Sequence, residues 1–366
     1  MGLMVLVIAA CSGETAETTT KKTNEPAANT DSLRYPAEVH LQNVRQLTFG
    51  GDNAEAYFSY DNKQLVFQRT TKDERIPCDQ IFVGDIPGAG EAFEYEMVST
   101  GLGRTTCAYF YPDNQKVIYA STHVADSNCP PEIDRSKIRK YVWPIYDTYE
   151  IFVYDPATGE HKQLTDNDYY DAEATLSPKG DKIVFTSTRS GDLELYTMDL
   201  DGSNVQQVTD GLGYDGGAFF GPKGEWLVFR ASRPATPEKE KEYKDLLAQG
   251  MVAPSDMEVY VCRPDGSELK QVTNLGKANW APFFHPDGER ILFSSNHASE
   301  TGRLFNIFMI NVDGTGLQQI TFDNEFDAFP MFSFDGKHLV WCSNRNNGDT
   351  RDTNIFLADW VENPEE

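Results

Sequence analysis

From about residue 40 onward, the chain alternates short apolar runs with clusters of Pro, Gly, Asp and Asn. The runs are rich in Ile, Val, Leu and Phe, as in residues 182–187 (KIVFTS) and 290–295 (RILFSS). Runs of this length between turn residues predict strands rather than helices. The pattern also repeats. A short motif ending in Thr closes on Thr48, Thr100, Thr165, Thr209, Thr273 and Thr321, at separations of 52, 65, 44, 64 and 48 residues. About a dozen residues after each comes a turn motif: Ser59-Tyr60-Asp61-Asn62, Tyr111-Pro112-Asp113-Asn114, Ser177-Pro178-Lys179-Gly180, Gly221-Pro222-Lys223-Gly224, His285-Pro286-Asp287-Gly288 and Ser333-Phe334-Asp335-Gly336.

The third unit, the shortest, shows the content of each repeat. Residues 172–176 read as strand A, 178–181 as a turn, 182–187 as strand B and 193–199 as strand C. Asp201-Gly202 is a hairpin signal before strand D at 204–209. A four-stranded unit of about 44 residues is a propeller blade, and six motifs predict an all-β, six-bladed β-propeller with four-stranded blades. The last unit runs out after three strands. Residues 40–48 have a strand D sequence and no blade before them, so they are expected to supply the outer strand of the last blade, beside residues 354–359.

The repeats SPKGDKIVFTSTR, LYTMDLDGSN and QQVT resemble the WD-like repeats of TolB-type propellers over residues 40–361. The expected protein is an exported lipoprotein member lacking the α/β domain that precedes the propeller in TolB. The resemblance implies that A–B and C–D turns share one face and B–C and D–A loops the other. Two insertions, 122–144 in blade 2 and 233–256 in blade 4, then decorate the B–C face on either side of blade 3. Loops on a rigid scaffold are where function concentrates. The second insertion predicts one short helix, with Thr236 as N-cap, Pro237 in its first turn, Gly250 as a stop and an apolar stripe of Tyr243, Leu246 and Leu247.

Aligning the blades produces two rings. One comprises Asn53, Thr105, Asp171, Asp215, Asn279 and Asp327, expected at the channel mouth on the B–C face. The other comprises Thr71, His123, Arg189, Arg233, His297 and Arg345. Together they read either as a polar ligand site or as pairs that lock the blades. Tyr170, Tyr214, Trp280 and Phe326 adjoin the first ring and suit a carbohydrate or peptide surface. The candidate ligand-binding set is Asp171, Asp215, Asn279, Trp280, Asp327, Tyr170, Tyr214, Arg189 and Arg345.

The other features concern location and chemistry. Residues 2–10 are apolar or small and lead to Cys11 in a sequence, IAAC, that resembles a bacterial lipobox. Residues 1–11 are expected to be a lipoprotein signal peptide with Cys11 as lipidation site, 12–39 a disordered tether, 40–361 the propeller and 362–366 a tail. Ser12 and Gly13 point to the outer membrane, facing the periplasm. With 57 acidic against 32 basic side chains, the net charge of −25 argues against nucleic acid. No G-x-S-x-G, H-E-x-x-H or P-loop occurs. The six His are dispersed, which disfavours a metal site; a divalent cation at the channel mouth is the one cofactor considered. Among the exported cysteines, a Cys107–Cys129 disulfide is the pairing considered. These readings predict a non-catalytic, monomeric envelope lipoprotein that binds a protein, peptide or glycan. The alternative is a periplasmic polysaccharide lyase or hydrolase working from the channel mouth.

Overall fold

The six repeats form six antiparallel sheets arranged around an axis, with strand A innermost. The structure is a computed structural model that describes residues 31–72, 74–134, 138, 140–348 and 350–364, together with the short strand Lys22–Thr23. The expected signal segment and Cys11 lie outside the described residues. Strands A are Asp52–Phe58, Thr105–Phe110, Asp171–Leu176, Asp215–Phe220, Asn279–Phe284 and Asp327–Phe332. Strands B are Gln64–Thr71, Val117–Ser121, Ile183–Ser187, Leu227–Ser232, Arg290–Ser295 and His338–Ser343. Strands C are Ile76–Asp85, Glu150–Asp155, Glu194–Met198, Met257–Cys262, Asn306–Asn311 and Asn354–Trp360.

The apolar runs follow from radial packing, which covers both faces of each inner strand. Every strand B carries a fully buried aromatic: Phe67, Tyr119, Phe185, Phe229, Phe293 or Trp341. Each faces an aromatic on its own strand C (Phe82, Phe152, Tyr196, Tyr260, Phe308 or Phe356), with ring centroids 5.7–6.0 Å apart. Such cross-strand pairs contribute on the order of 1 kcal/mol beyond the burial of their area.

The repeated Thr motif fastens strand D. The hydroxyls of Thr165, Thr209, Thr273 and Thr321 accept the backbone N–H of Ile151, Leu195, Val259 and Ile307 on strand C, at 2.8–2.9 Å. The Gln two places earlier closes its amide onto the Thr carbonyl. Strand D is only two residues long in three blades, so these side-chain bonds do much of the pairing. In blade 1 the bond to Ile81 comes from Ser99, not from Thr100 as the alignment implies. The turn motif ends on Asn62, Asn114, Gly180, Gly224, Gly288 and Gly336, all at positive φ, which explains the restriction to Asn and Gly.

Ring closure follows the expectation. Leu41–Gln46 pairs antiparallel with Asn354–Trp360, with Leu41 opposite Trp360 and Gln46 opposite Phe356. In this strand Thr48 bonds Ile355 as its counterparts do elsewhere. Described residues ahead of this strand also pack on the blades. Asp31–Leu33 forms a 3-10 turn, and Glu38 is fully buried against Arg345 at 2.9 Å. Arg345 also contacts Asp327 at 2.7 Å, Asp323 at 3.4 Å and the Leu33 carbonyl. Lys22–Thr23 adds a fifth strand outside Glu94–Met97 of blade 1.

The two insertions meet. Trp143–Pro144 pairs with Met251–Val252, and Ile145 donates to the Gly250 carbonyl, so the loops of blades 2 and 4 form one bridge on the B–C face. The predicted helix spans Pro237–Leu247, capped by Thr236, and docks through buried Tyr243, whose hydroxyl donates to Asp192. The disulfide is Cys78–Cys129, which corrects the Cys107–Cys129 pairing. Cys78 begins strand C of blade 1 and reaches the blade 2 insertion, whereas the Cys107 side chain turns into the channel. The bond closes a separation of 51 residues and contributes about 4 kcal/mol in the chain-entropy account.

Two predictions test this account. Arg345→Ala leaves three buried carboxylates without their cation; equilibrium denaturation should show a loss of about 3–5 kcal/mol. A loss below about 1 kcal/mol would mean the closure does not depend on it. Burial raises Glu150 to about 7, and burial together with Asp215 raises Glu194 to about 8. Because the folded values lie above the unfolded ones, the stabilisation is complete below about pH 4.5 and is lost as pH rises through 7 to 8. The melting temperature should therefore fall between pH 5 and pH 8, and Glu194→Gln, which mimics the protonated acid, should flatten the fall.

Candidate functional site

In blades 3, 4 and 6 the two aligned rings meet inside the blade rather than at the channel mouth. Asp171, Asp215, Asn279 and Asp327 are fully buried. Asp171 takes Arg189 at 2.8 and 3.0 Å, Asp215 takes Arg233 at 2.9 Å, and Asp327 takes Arg345 and the Trp341 indole. Asn279 is held by the Ser295 hydroxyl at 2.6 Å and the Met257 carbonyl at 2.8 Å. The second ring stacks on the blade aromatic pairs. Arg189 lies over Phe185 and Tyr196, Arg345 over Trp341 and Phe356, His123 beside Phe152 and His297 beside Phe308. The physical reason is that each Asp–Arg pair satisfies a charge that radial packing has taken from water. The expected position at the mouth is thereby corrected for Asp171, Asp215, Asn279 and Asp327, whereas Asn53 of the same ring does line the cavity. Among the described residues no group of three His, Cys, Asp or Glu is placed to share a metal ion.

The aromatics that adjoin the first ring do reach a cavity. Tyr170, Tyr214, Trp280 and Phe326 line a space of about 940 Å³ on the B–C side of the channel, with Trp143, Tyr146 and Tyr149 entering from the blade 2 insertion and its neighbour strand. Trp280 stacks on Phe305 at 4.3 Å and donates its indole N–H to the Pro254 carbonyl at 2.9 Å. Trp143 leans on Trp280 at 5.2 Å.

The floor of the cavity comes from a feature the alignment missed. Two residues after each first-ring position, strand A carries a residue at positive φ: Glu55, Cys107, Glu173, Gly217, Ala281 or Phe329. The A–B register shifts at this point in every blade, which marks a β-bulge. Of these six bulge residues, Glu55, Cys107, Glu173 and Phe329 line the cavity. Glu173 accepts from the Tyr214 hydroxyl at 2.7 Å, the Gly217 amide at 2.9 Å, Thr186 at 2.7 Å and the Arg230 guanidinium. A Cβ on Gly217 would stand 2.1 Å from Arg230 Nη1, so the glycine leaves the guanidinium its place beside Glu173. Arg230 in turn lies 5.1 Å from the Trp143 ring and carries the bridge between the insertions. Glu55 is pushed up to about 7 by burial, with the Cys107 thiol against its carboxyl.

Two further residues along strand A the channel is plugged. Tyr57 of blade 1 touches Phe219 of blade 4 across the axis at 5.3 Å, and Tyr109 and Phe283 pack against Phe219 at 5.8 and 5.1 Å. The cavity is therefore a blind pocket, closed below by this plug. The bulge residues could be found in the sequence only by shifting the blade alignment two places; Arg230 carries no repeat signal.

No family model matches the chain. Among solved structures, a protein assigned as TolB from Agrobacterium tumefaciens superposes with a TM-score of 0.55 at 18% identity, over 85% of this chain and 91% of that one. TolB from Acinetobacter baumannii gives 0.52 at 18% identity, over 87% of this chain and 65% of that one, so the chain spans just under two thirds of its length. An oligogalacturonate lyase from Vibrio parahaemolyticus gives 0.52 at 12% identity, over 94% and 98%. At these identities the likeness is one of fold, and the fold is that of a TolB-like six-bladed propeller.

Proposed function

We propose that this chain is a non-catalytic binding propeller of the bacterial cell envelope, anchored by lipid at Cys11 and taking a peptide or glycan into the B–C cavity. The carrying observation is the blind pocket itself: about 940 Å³, walled by aromatics, and closed below by the plug of Tyr57 and Phe219. A pocket of that size suits a small ligand or the end of a longer one. The Cys78–Cys129 disulfide supports an exported chain. No helix among the described residues is long and apolar enough to cross a membrane, so attachment in this reading comes from the lipid alone. A second reading, a polysaccharide lyase or hydrolase, draws support from one group: a carboxyl near 7 at the cavity floor, Glu55, is poised for general acid–base work.

Trp143→Ala should weaken ligand capture by about 2 kcal/mol, roughly 30-fold, because it removes an aromatic anchor. Asp215→Asn should instead lower the melting temperature and leave capture unchanged. The opposite pattern in the two variants would return the site to the buried ring. For location, the wild-type chain should label with palmitate and partition into detergent, and Cys11→Ser should not; an unlabelled wild type would defeat the anchoring.

A further inference from the structure

The cavity floor is chemically divided. Blades 1 to 3 contribute Glu55, Cys107 and Glu173 to the lining, and of the bulge residues of blades 4 to 6 only Phe329 reaches it. A ligand that fits such a floor has a polar end and an apolar body.

The polar half holds an unpaired acceptor. Glu55 Oε2 is buried and has no hydrogen-bond partner in the protein. Buried acceptors are nearly always paired, and leaving one unpaired costs stability. The neighbouring cations hold other carboxylates, and of their buried nitrogens only Nε lacks a partner. Arg230 is held by Glu173 and the Tyr214 hydroxyl, and Arg104 by Asp79 at 3.0 Å. The cavity lining itself is balanced, with Asp52, Glu55, Asp79, Glu173 and Asp256 against Arg104, Lys140, Arg230, Lys277 and Arg303, so the bias against an anionic guest comes from the chain's net charge of −25 and from the unpaired Glu55 oxygen. Aromatic faces around a carboxylate favour a cation. A bond to Oε2 needs an N–H on the cation, which a quaternary ammonium lacks.

We propose that the cavity floor receives a protonated primary amine carried on an apolar body. Glu55 accepts from the ammonium, and Trp280, Phe305 and Phe326 take the body. This rests on the cavity being the binding site and names the class of its ligand. The amine has two sources of the same chemistry: the amino terminus of a peptide with an apolar first residue, or a free small amine.

The charged and titratable groups facing Glu55 are the Cys107 thiol, Arg230, Glu173 and Asp79. Burial holds the Cys107 thiol protonated, so ionisation of Glu55 is the local change near neutrality. Affinity for the amine should therefore rise as Glu55 loses its proton.

Calorimetric titration of the full chain with phenylalanyl-alanine, its N-acetylated form, phenethylamine and cellobiose tests the proposal. At least one of the two amines should bind, with affinity rising between about pH 5.5 and pH 7.5. Acetylation should weaken the dipeptide by about tenfold or more, since it removes a charge-assisted bond. Glu55→Gln, with its melting temperature measured in parallel, should abolish the preference for the free amine. Tighter binding of the dipeptide assigns a peptide terminus, and tighter binding of phenethylamine assigns a free amine. Equal binding of the acetylated dipeptide, or an unchanged preference in Glu55→Gln, overturns the ammonium while leaving the cavity as the binding site. Binding of cellobiose alone does the same. No binding by any probe overturns both.

Discussion

A β-strand that lines a channel shows it only alternate side chains, and in this propeller a bulge breaks that alternation at the same point of all six inner strands. The residue at the break sits at positive φ, a conformation that costs a non-glycine residue on the order of 1 kcal/mol. Radial packing holds it there. First-ring residues on one side of the break go into the blade and meet their partners. Of the bulge residues, Glu55, Cys107, Glu173 and Phe329 go into the channel. Two places further on, Tyr57, Tyr109, Phe219 and Phe283 return to the axis and plug it. One backbone irregularity thus separates a structural layer, a floor and a plug within five residues.

The same separation assigns the charges. Arg189, Arg233 and Arg345 have a carboxylate in front and an aromatic ring behind, so they belong to the blade. Arg230 is placed differently. It lies between the Glu173 carboxylate of the neighbouring blade and the Trp143 ring of the bridging insertion, and Gly217 leaves space for it. Through this residue the blade 2 insertion, the blade 4 inner strand and the cavity floor are one unit. The Cys78–Cys129 disulfide ties the same insertion back to blade 1.

Much of the fold was legible because the repeat states it six times. Apolar runs, Asn or Gly at the end of each turn motif, and a Thr that fastens strand D are local signals with local causes. The outer strand from residues 41–46 was legible by arithmetic, since one blade lacked a strand and one strand lacked a blade. The site was less legible. Asp171, Asp215 and Asp327 repeat in register and are polar, which a sequence reading cannot distinguish from a ligand ring; their burial against Arg comes from packing in three dimensions. Glu55, Cys107, Glu173, Gly217, Ala281 and Phe329 share a backbone conformation and no chemistry, so the ring they form has no residue signature. The pairing of Cys78 with Cys129 depends on where an insertion folds back, which spacing does not encode. Tyr170, Tyr214, Trp280 and Phe326 were selected for adjoining the polar ring, and they reach the cavity because the chain turns from loop to strand there.

The central claim is that recognition occurs in the blind pocket beneath the bridged insertions, and hydrogen–deuterium exchange with and without a captured ligand addresses it most directly. Protection should concentrate in Trp143–Pro144 and Met251–Val252, with a smaller effect at the strand A bulges, and the A–B turns should exchange as in the free protein. Protection centred on the A–B turns around Gly180, Gly224 and Gly288, with the insertions unchanged, would contradict it.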